Sequence, residues 1–162
     1  MKIAVAGAGY VGLVTAACFA ELGNDVVCVD IDEEKIKKLN SSIMPIYEPG
    51  LDQIVKRNKK ENRLSFTTDL KDAIKKSEII FICVPTPFEE KGGYNETVIE
   101  ESLCILANSK IVIIKSTILP GTTQSIQAEN PGIFVMHSPE FLTEATAAYD
   151  AANPLRNIIG SV

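Results

Sequence analysis

Apolar residues along the chain fall into short unbroken runs separated by stretches of helical spacing. KIAVAG from Lys2, DVVCVD from Asp25, EIIFICV from Glu78, KIVIIKS from Lys110, GIFVMH from Gly132 and NIIGSV from Asn157 are of strand length and mostly rich in Val and Ile, and LSFTT from Leu64 is a weaker seventh. Continuous rather than alternating hydrophobicity marks strands covered on both faces, as in a parallel sheet between two helical layers. Helical spacing over Tyr10 to Leu22, Glu33 to Asn40, Leu51 to Asn58, Leu70 to Lys75, Thr97 to Ala107 and Thr122 to Ala128 fills the intervals. Strand then helix, repeated, predicts a βαβ series with right-handed crossovers. The expected fold is therefore α/β: a doubly wound, Rossmann-like parallel sheet in a single domain over residues 1–162, with ligands at the carboxyl ends of the strands. The insertion from Ser41 to Gly50, with Pro45 and Pro49, reads as a loop over the sheet.

Composition narrows the class. At 162 residues, 46% hydrophobic and 23% charged, the chain suits one packed core and not disorder. The net charge of −5 gives no electrostatic footprint for nucleic acid or an anionic membrane, and the basic cluster Lys56 to Lys60 reads as a solvated helix end. Behind Lys2 the apolar run is broken by Gly7, Gly9 and Gly12, which suits a strand, turn and helix and not a targeting signal. No stretch approaches the ~18 apolar residues of a membrane span, so a cytoplasmic protein is expected. Cys18, Cys28, Cys83 and Cys104 sit apart in apolar runs; without a CxxC or a Cys/His spacing they read as reduced core residues, and no metal site is expected.

The first chemical signal is GAGYVG, Gly7 to Gly12, which follows a predicted strand and opens a predicted helix. In that context Gly7 permits the tight turn, Gly9 lets the backbone approach a pyrophosphate, and Gly12 lets the helix pack on the strand. The helix N-terminus offers free N–H groups to the phosphates. Asp30 ends the second strand, eighteen residues beyond Gly12, where its carboxylate can accept from adenosine ribose hydroxyls. It favours NAD over NADP, because a 2′-phosphate would meet like charge, softened by Lys35 in the next helix.

Three further loops leave the same edge of the sheet. In CVPTP from Cys83, Thr86 stands between Pro85 and Pro87, either to contact the cofactor or as part of a plain strand-terminating loop. In KSTILPGTT from Lys115, Thr117 either positions a water or the nicotinamide side, or caps the next helix. SPEFLTEATA from Ser138 carries Glu140 and Glu144; on a helix they would share one face, either with separate tasks or as acids in a first turn. The lone histidine, His137, reads as the closing residue of a core strand.

The set GAGYVG, VDID, YEPGL, CVPTP, KSTILPGT, SPEFL and NPLR, in this order and spacing, resembles the N-terminal domain of the UDP-glucose/GDP-mannose dehydrogenase family over essentially the whole chain, and within it the UDP-glucose 6-dehydrogenases most. The resemblance implies a four-electron oxidation of the C6 alcohol of UDP-glucose to the carboxylate with two NAD, by way of an aldehyde and an enzyme thioester. It implies that Gly7, Gly9, Tyr10, Val11 and Gly12 hold the pyrophosphate, that Asp30 and Lys35 hold the adenosine ribose, and that Val84, Pro85 and Thr86 contact the cofactor from a second loop. Thr117 would orient a catalytic water and touch NAD, Glu140 would act as or assist the general base, Phe141 and Leu142 would line the sugar nucleotide with it, and Glu144 would contact the nicotinamide side. Many members read Arg, Glu, Gly after the FL, whereas Thr143, Glu144 and Ala145 follow here. The family's nucleophilic cysteine and catalytic lysine lie in later regions, so the chain is expected to be a piece lacking the central helix and the C-terminal UDP-sugar domain, binding NAD without completing the oxidation. A homodimer is expected of the whole enzyme and a monomer of this piece. The competing expectations are an NAD-dependent dehydrogenase of the 3-hydroxyacid or 6-phosphogluconate type, which shares the glycine turn, and a non-catalytic NAD(H)-binding regulatory module.

Overall fold

A computed structural model describes residues 1–87, Ile99 and 110–161. The expected helix over Thr97 to Ala107 falls outside them except for Ile99, which is helical and buried; Cys104 also lies outside the described residues. Strands β1 (Lys2–Ala6), β2 (Asp25–Val29), β3 (Leu64–Thr67), β4 (Ile79–Ile82), β5 (Ile111–Ile114), β6 (Phe134–His137) and β7 (Gly160–Ser161) form one sheet in the order β3-β2-β1-β4-β5-β6-β7. The described helices are α1 (Tyr10–Glu21), α2 (Glu33–Asn40), α3 (Leu51–Lys60), α4 (Leu70–Lys76), α5 (Thr122–Glu129) and α6 (Ala147–Ala152).

β1 through β6 are parallel, and the order reverses between β1 and β4, which opens a crevice at their carboxyl ends. Alternation along β1 divides the core. Ile3 and Val5 join Leu13, Val14, Val26, Leu39, Leu51 and Phe81 on one face, whereas Ala4 and Ala6 join Ile74, Ile80, Ile82, Val112, Ile114 and Val135 on the other. Both faces of the central strands are thus covered, which is why their sequences read as unbroken apolar runs. α1 is apolar nearly all round, buried from Gly12 to Ala17, because it lies between the sheet, α3 and α6. Asp32 and Asp69 cap α2 and α4, accepting from the backbone N–H groups of Lys35 and Asp72.

Two expectations change. NIIGSV is not a full parallel strand: among its described residues Gly160 and Ser161 pair, antiparallel to β6, and Ile158 and Ile159 are exposed. An edge strand has a single neighbour, so apolar residues there need not be covered, and hydrophobicity carries no strand direction. The Lys56 to Lys60 cluster is more than a solvated end. The Arg57 guanidinium and the Asn58 amide bond the Glu21 carboxylate of α1, and Lys59 Nζ donates to the carbonyls of Leu39 (2.9 Å) and Asn40 (2.7 Å) at the end of α2. Those bonds join three helices on one face of the sheet.

Candidate cofactor site and active site

Between β1 and α1 the glycine turn packs against the loop after β4. Gly7 has φ 101°, and a Cβ there would meet the Cys83 carbonyl oxygen at 2.4 Å; one on Gly12 would meet the Gly7 carbonyl oxygen at 1.9 Å. The protein itself therefore requires both glycines. Gly9 differs: a Cβ would have nothing within 4 Å, and the residue faces a cleft of about 870 Å³ at the strands' carboxyl ends. Nothing among the described residues excludes a side chain at Gly9, so the open space suits close approach of a ligand, with the free N–H donors of the first turn of α1 facing an anion. This cradle fits a dinucleotide pyrophosphate.

At one end of the cleft Asp30 follows β2. Its Oδ2 accepts from the backbone N–H of Ala8 (2.8 Å) and from Lys35 Nζ (2.8 Å), and its Oδ1 accepts from the backbone N–H of Asp32 (3.0 Å). Burial works to raise the Asp30 carboxyl, but the bonds from Lys35, Asp32 and Ala8 outweigh it and hold it below the usual carboxylate range. A carboxylate has roughly four acceptor positions, so an acceptor position on Oδ1 is left for a ribose hydroxyl, and Lys35 retains donors for a second.

Val84, Pro85 and Thr86 form the facing wall, and Ser116 Oγ donates to the Val84 carbonyl (2.7 Å), joining the loops after β4 and β5. Thr117 lines the cleft and is exposed; α5 begins five residues later behind Gly121, which is left-handed (φ 98°). The alternative of Thr117 as its cap is thereby excluded. His137 ends β6 as expected but also lines the cleft, with Nε2 buried and without a hydrogen-bond partner among the described residues.

The acidic segment corrects another expectation, since Glu140 and Glu144 do not share a helix face. Residues 138–143 are irregular, 144–146 form a turn, and α6 starts at Ala147. The cause is Ala145, at φ 70°, which a right-handed helix cannot contain. Glu140 lines the cleft and pairs with Lys115 Nζ at 2.8 Å, both side chains largely shielded from solvent. Glu144 is exposed and stands outside the cleft lining; its charge, after burial and Glu48, helps push the Tyr10 phenol up to about 12. Phe141, with the Arg156 guanidinium 4.6 Å from its ring centroid, and Leu142 line a second cavity of about 820 Å³ together with Cys18, Phe19 and Leu22. Lys115, Pro139 and Glu140 border both cavities. Gly12 is buried beneath the turn, and the remaining predicted cofactor residues come together in the cleft apart from Glu144.

Sequence reasoning assigned no role to Lys115 or Glu48, although both stand within quoted motifs. Lys115 signals itself weakly, as a cation at a strand's carboxyl end two residues before Thr117. Glu48 gives no local signal, because an acid in a Pro-flanked loop reads as exposed, yet it is only 4% exposed. The described cysteines remain thiols: burial raises Cys18 to about 11 and Cys83 to about 12, and pushes Cys28 up as well. A nucleophilic thiolate requires the opposite environment.

A model of the UDP-glucose/GDP-mannose dehydrogenase family, NAD binding domain, matches residues 1–162. UDP-glucose 6-dehydrogenase TuaD of Bacillus subtilis is 43% identical over 99% of this chain and 37% of its own length. Among solved structures, GDP-mannose dehydrogenase from Pseudomonas aeruginosa superposes with a TM-score of 0.90 at 34% identity, and UDP-D-ManNAc dehydrogenase from Pyrococcus horikoshii with 0.92 at 34%; each match covers 100% of this chain and 41% of the other. The chain therefore spans about two fifths of the length of these relatives. The alternative of a 3-hydroxyacid or 6-phosphogluconate dehydrogenase falls away.

Proposed function

The chain belongs to the UDP-glucose/GDP-mannose dehydrogenase family, whose NAD-binding domain it forms, and from that premise we propose that it serves a UDP-glucose 6-dehydrogenase. Such an enzyme oxidises the C6 alcohol of UDP-glucose to the carboxylate of UDP-glucuronate, a precursor for polysaccharide biosynthesis, with two NAD. The observation that carries the reading is the Lys115–Glu140 ion pair where the cofactor cleft meets the second cavity. A base at that junction can reach a hydroxyl held in one cavity while a hydride acceptor lies in the other.

When bound, NAD would supply the hydride acceptor, and the chain's own residues would bind it, orient it and take the alcohol proton. The turn Gly7, Gly9, Tyr10, Val11 and Gly12 holds the pyrophosphate, Asp30 and Lys35 hold the adenosine ribose, and Val84, Pro85 and Thr86 fix the cofactor from the facing wall. Glu140, kept in place by Lys115, takes the alcohol proton. Thr117, whose hydroxyl both donates and accepts, orients the water that later enters. Phe141 and Leu142 border the sugar. The thiol nucleophile comes from outside the described residues, since burial holds Cys18, Cys28 and Cys83 as thiols. The whole enzyme would be a cytoplasmic homodimer, its central helix and UDP-sugar domain outside residues 1–162.

Calorimetric titration with NAD⁺, NADP⁺ and UDP-glucose, followed by an absorbance assay for NADH, tests this. NAD⁺ should bind without sustained turnover, and Asp30→Ala should weaken it by about 1–3 kcal/mol, the cost of losing a hydrogen bond to a charged group. Steady NADH formation from UDP-glucose by this chain, or affinity unchanged in the variant, would overturn the thiol or the ribose assignment respectively.

A further inference from the structure

Glu48 is a buried carboxylate without a cation. It lies in the loop between α2 and α3, is 4% exposed, and takes part in none of the ion pairs among the described residues. Its Oε2 accepts from the Tyr10 hydroxyl at 2.7 Å and from the backbone N–H of Ala145 at 3.0 Å, while its Oε1 is buried with no hydrogen-bond partner among the described residues. Burying a charge whose second oxygen is unpaired is a costly way to fill a core, and an apolar side chain would serve packing better. What a carboxylate adds is geometry: one oxygen gathers donors that lie 38 and 97 positions away in the chain.

Those two donors belong to the two halves of the site. Tyr10 is the first residue of α1 and lines the cofactor cleft. Ala145 is the left-handed residue that ends the acidic segment and sets where α6 begins. At its other end the segment is held by the Glu140 bond to Lys115. The Ala145 N–H bond to Glu48 offsets the strain of the left-handed conformation, so Glu48 fixes the path of the chain from Glu140 to Ala145. Tyr10 in turn fixes Glu48. The N-terminus of α1, which faces the cofactor cleft, and the acidic segment thus meet at the Glu48 carboxylate.

We infer that Glu48 is a positioning residue that couples occupancy of the cofactor cleft to the placement of the segment carrying Glu140 and Glu144. The inference rests on the reading of that cleft as the NAD site and adds a link between NAD binding and the base. A glutamine at this position keeps an oxygen that accepts from both donors; an alanine removes it, and Tyr10→Phe cuts the cofactor side of the link, together with the 3.4 Å contact of the Tyr10 hydroxyl with the Thr143 carbonyl, while leaving Glu48 on Ala145.

Amide hydrogen exchange at Ala145, read by NMR with and without saturating NAD⁺, tests this on the chain itself, with calorimetry recording binding in each variant. In the wild type and in Glu48→Gln, NAD⁺ should slow exchange at Ala145 by about tenfold, within the usual range of coupling between sites. In Tyr10→Phe most of that slowing should vanish, although Ala145 remains protected in the free chain; in Glu48→Ala the free-chain protection should go too. Because the Tyr10 hydroxyl also lies 3.4 Å from the Thr143 carbonyl oxygen, Tyr10→Phe tests the link from α1 and not Glu48 itself; if Glu48→Ala does not fold, Glu48→Met, which keeps the volume without the acceptor, takes its place. Equal NAD⁺-induced protection in the wild type and in an NAD⁺-binding Tyr10→Phe chain would overturn the coupling and leave the cofactor site standing. Failure of the wild type to bind NAD⁺ would overturn both.

Discussion

Cys28 is fully buried, and burial raises its thiol as it raises Cys18 to about 11 and Cys83 to about 12. In the unfolded chain a thiol titrates near ~8.5. The folded values lie above the unfolded one, so this contribution to stability is fully present below ~8.5 and is lost as pH rises from there through the folded values, at about 1.4 kcal/mol per pH unit for each thiol ionised in the unfolded chain alone. Urea midpoints measured under reducing conditions between about pH 8 and pH 10 should fall steadily, and a flat profile would mean that the thiols ionise in the fold. At this scale legibility depended on where a residue finds its partner. Asp30, Lys35 and the glycines were readable because a short motif fixes their spacing. Lys115 and Glu48 were not: the carboxylate of Glu140 lies 25 positions from Lys115, and the Ala145 amide 97 from Glu48. The replacement of the family's glycine by Ala145 was visible, but its φ of 70° was not.

Elements were more legible than residues, because unbroken apolar runs and helical spacing are local and long. β1, β2 and α2 begin where the sequence placed them, and α1 to α5 differ from expectation by at most two residues, whereas the spacing gave no helix at Ala147–Ala152. The acidic segment failed because Ala145 is left-handed, a local break that the spacing of acidic and apolar residues does not signal. The β1–turn–α1 unit shows how packing and ligand demand can be separated inside one motif. At Gly12 a methyl group would sit 1.9 Å from a backbone oxygen that cannot retreat without moving β1; Gly12→Ala should destabilise the chain by about 1–3 kcal/mol or more. At Gly9 φ is −75° and a methyl group meets nothing. Gly9→Ala should therefore change stability by less than about 1 kcal/mol. The same methyl group would stand where a pyrophosphate must approach, so NAD⁺ affinity should fall about tenfold or more, the cost of overpacking by one methyl. Chemical denaturation and calorimetry on both variants distinguish the roles; loss of folding in Gly9→Ala, or undiminished affinity, would refute the division.

Across the whole molecule the class of sheet was foreseeable while its far edge was not. Parallel order follows from βαβ repetition, whereas the reversal at β7 depends on the fold of the 22 residues between β6 and β7, where hydrophobicity says nothing of direction. The consequence of the sheet order is functional: β1 and β2 supply the glycine turn and Asp30, while β4, β5 and β6 supply Val84 to Thr86, Thr117 and Glu140. A ligand along the cleft bridges both halves of the sheet, and its binding energy opposes global unfolding and not the loosening of one loop. NAD⁺ at about a hundred times its dissociation constant should add roughly 2.7 kcal/mol. For a chain of 162 residues that corresponds to a rise in melting temperature of about 5–10 °C. NADP⁺ at the same concentration should raise it less, because the Asp30 carboxylate is held ionised by Lys35 and two backbone donors and repels a 2′-phosphate. The contrast isolates Asp30 from the rest of the cleft: the Asp30→Ala chain should show smaller shifts with NAD⁺ and a narrower gap between the two cofactors. Equal shifts with NAD⁺ and NADP⁺ in the wild type would mean that Lys35, and not Asp30, dominates the ribose end of the cleft.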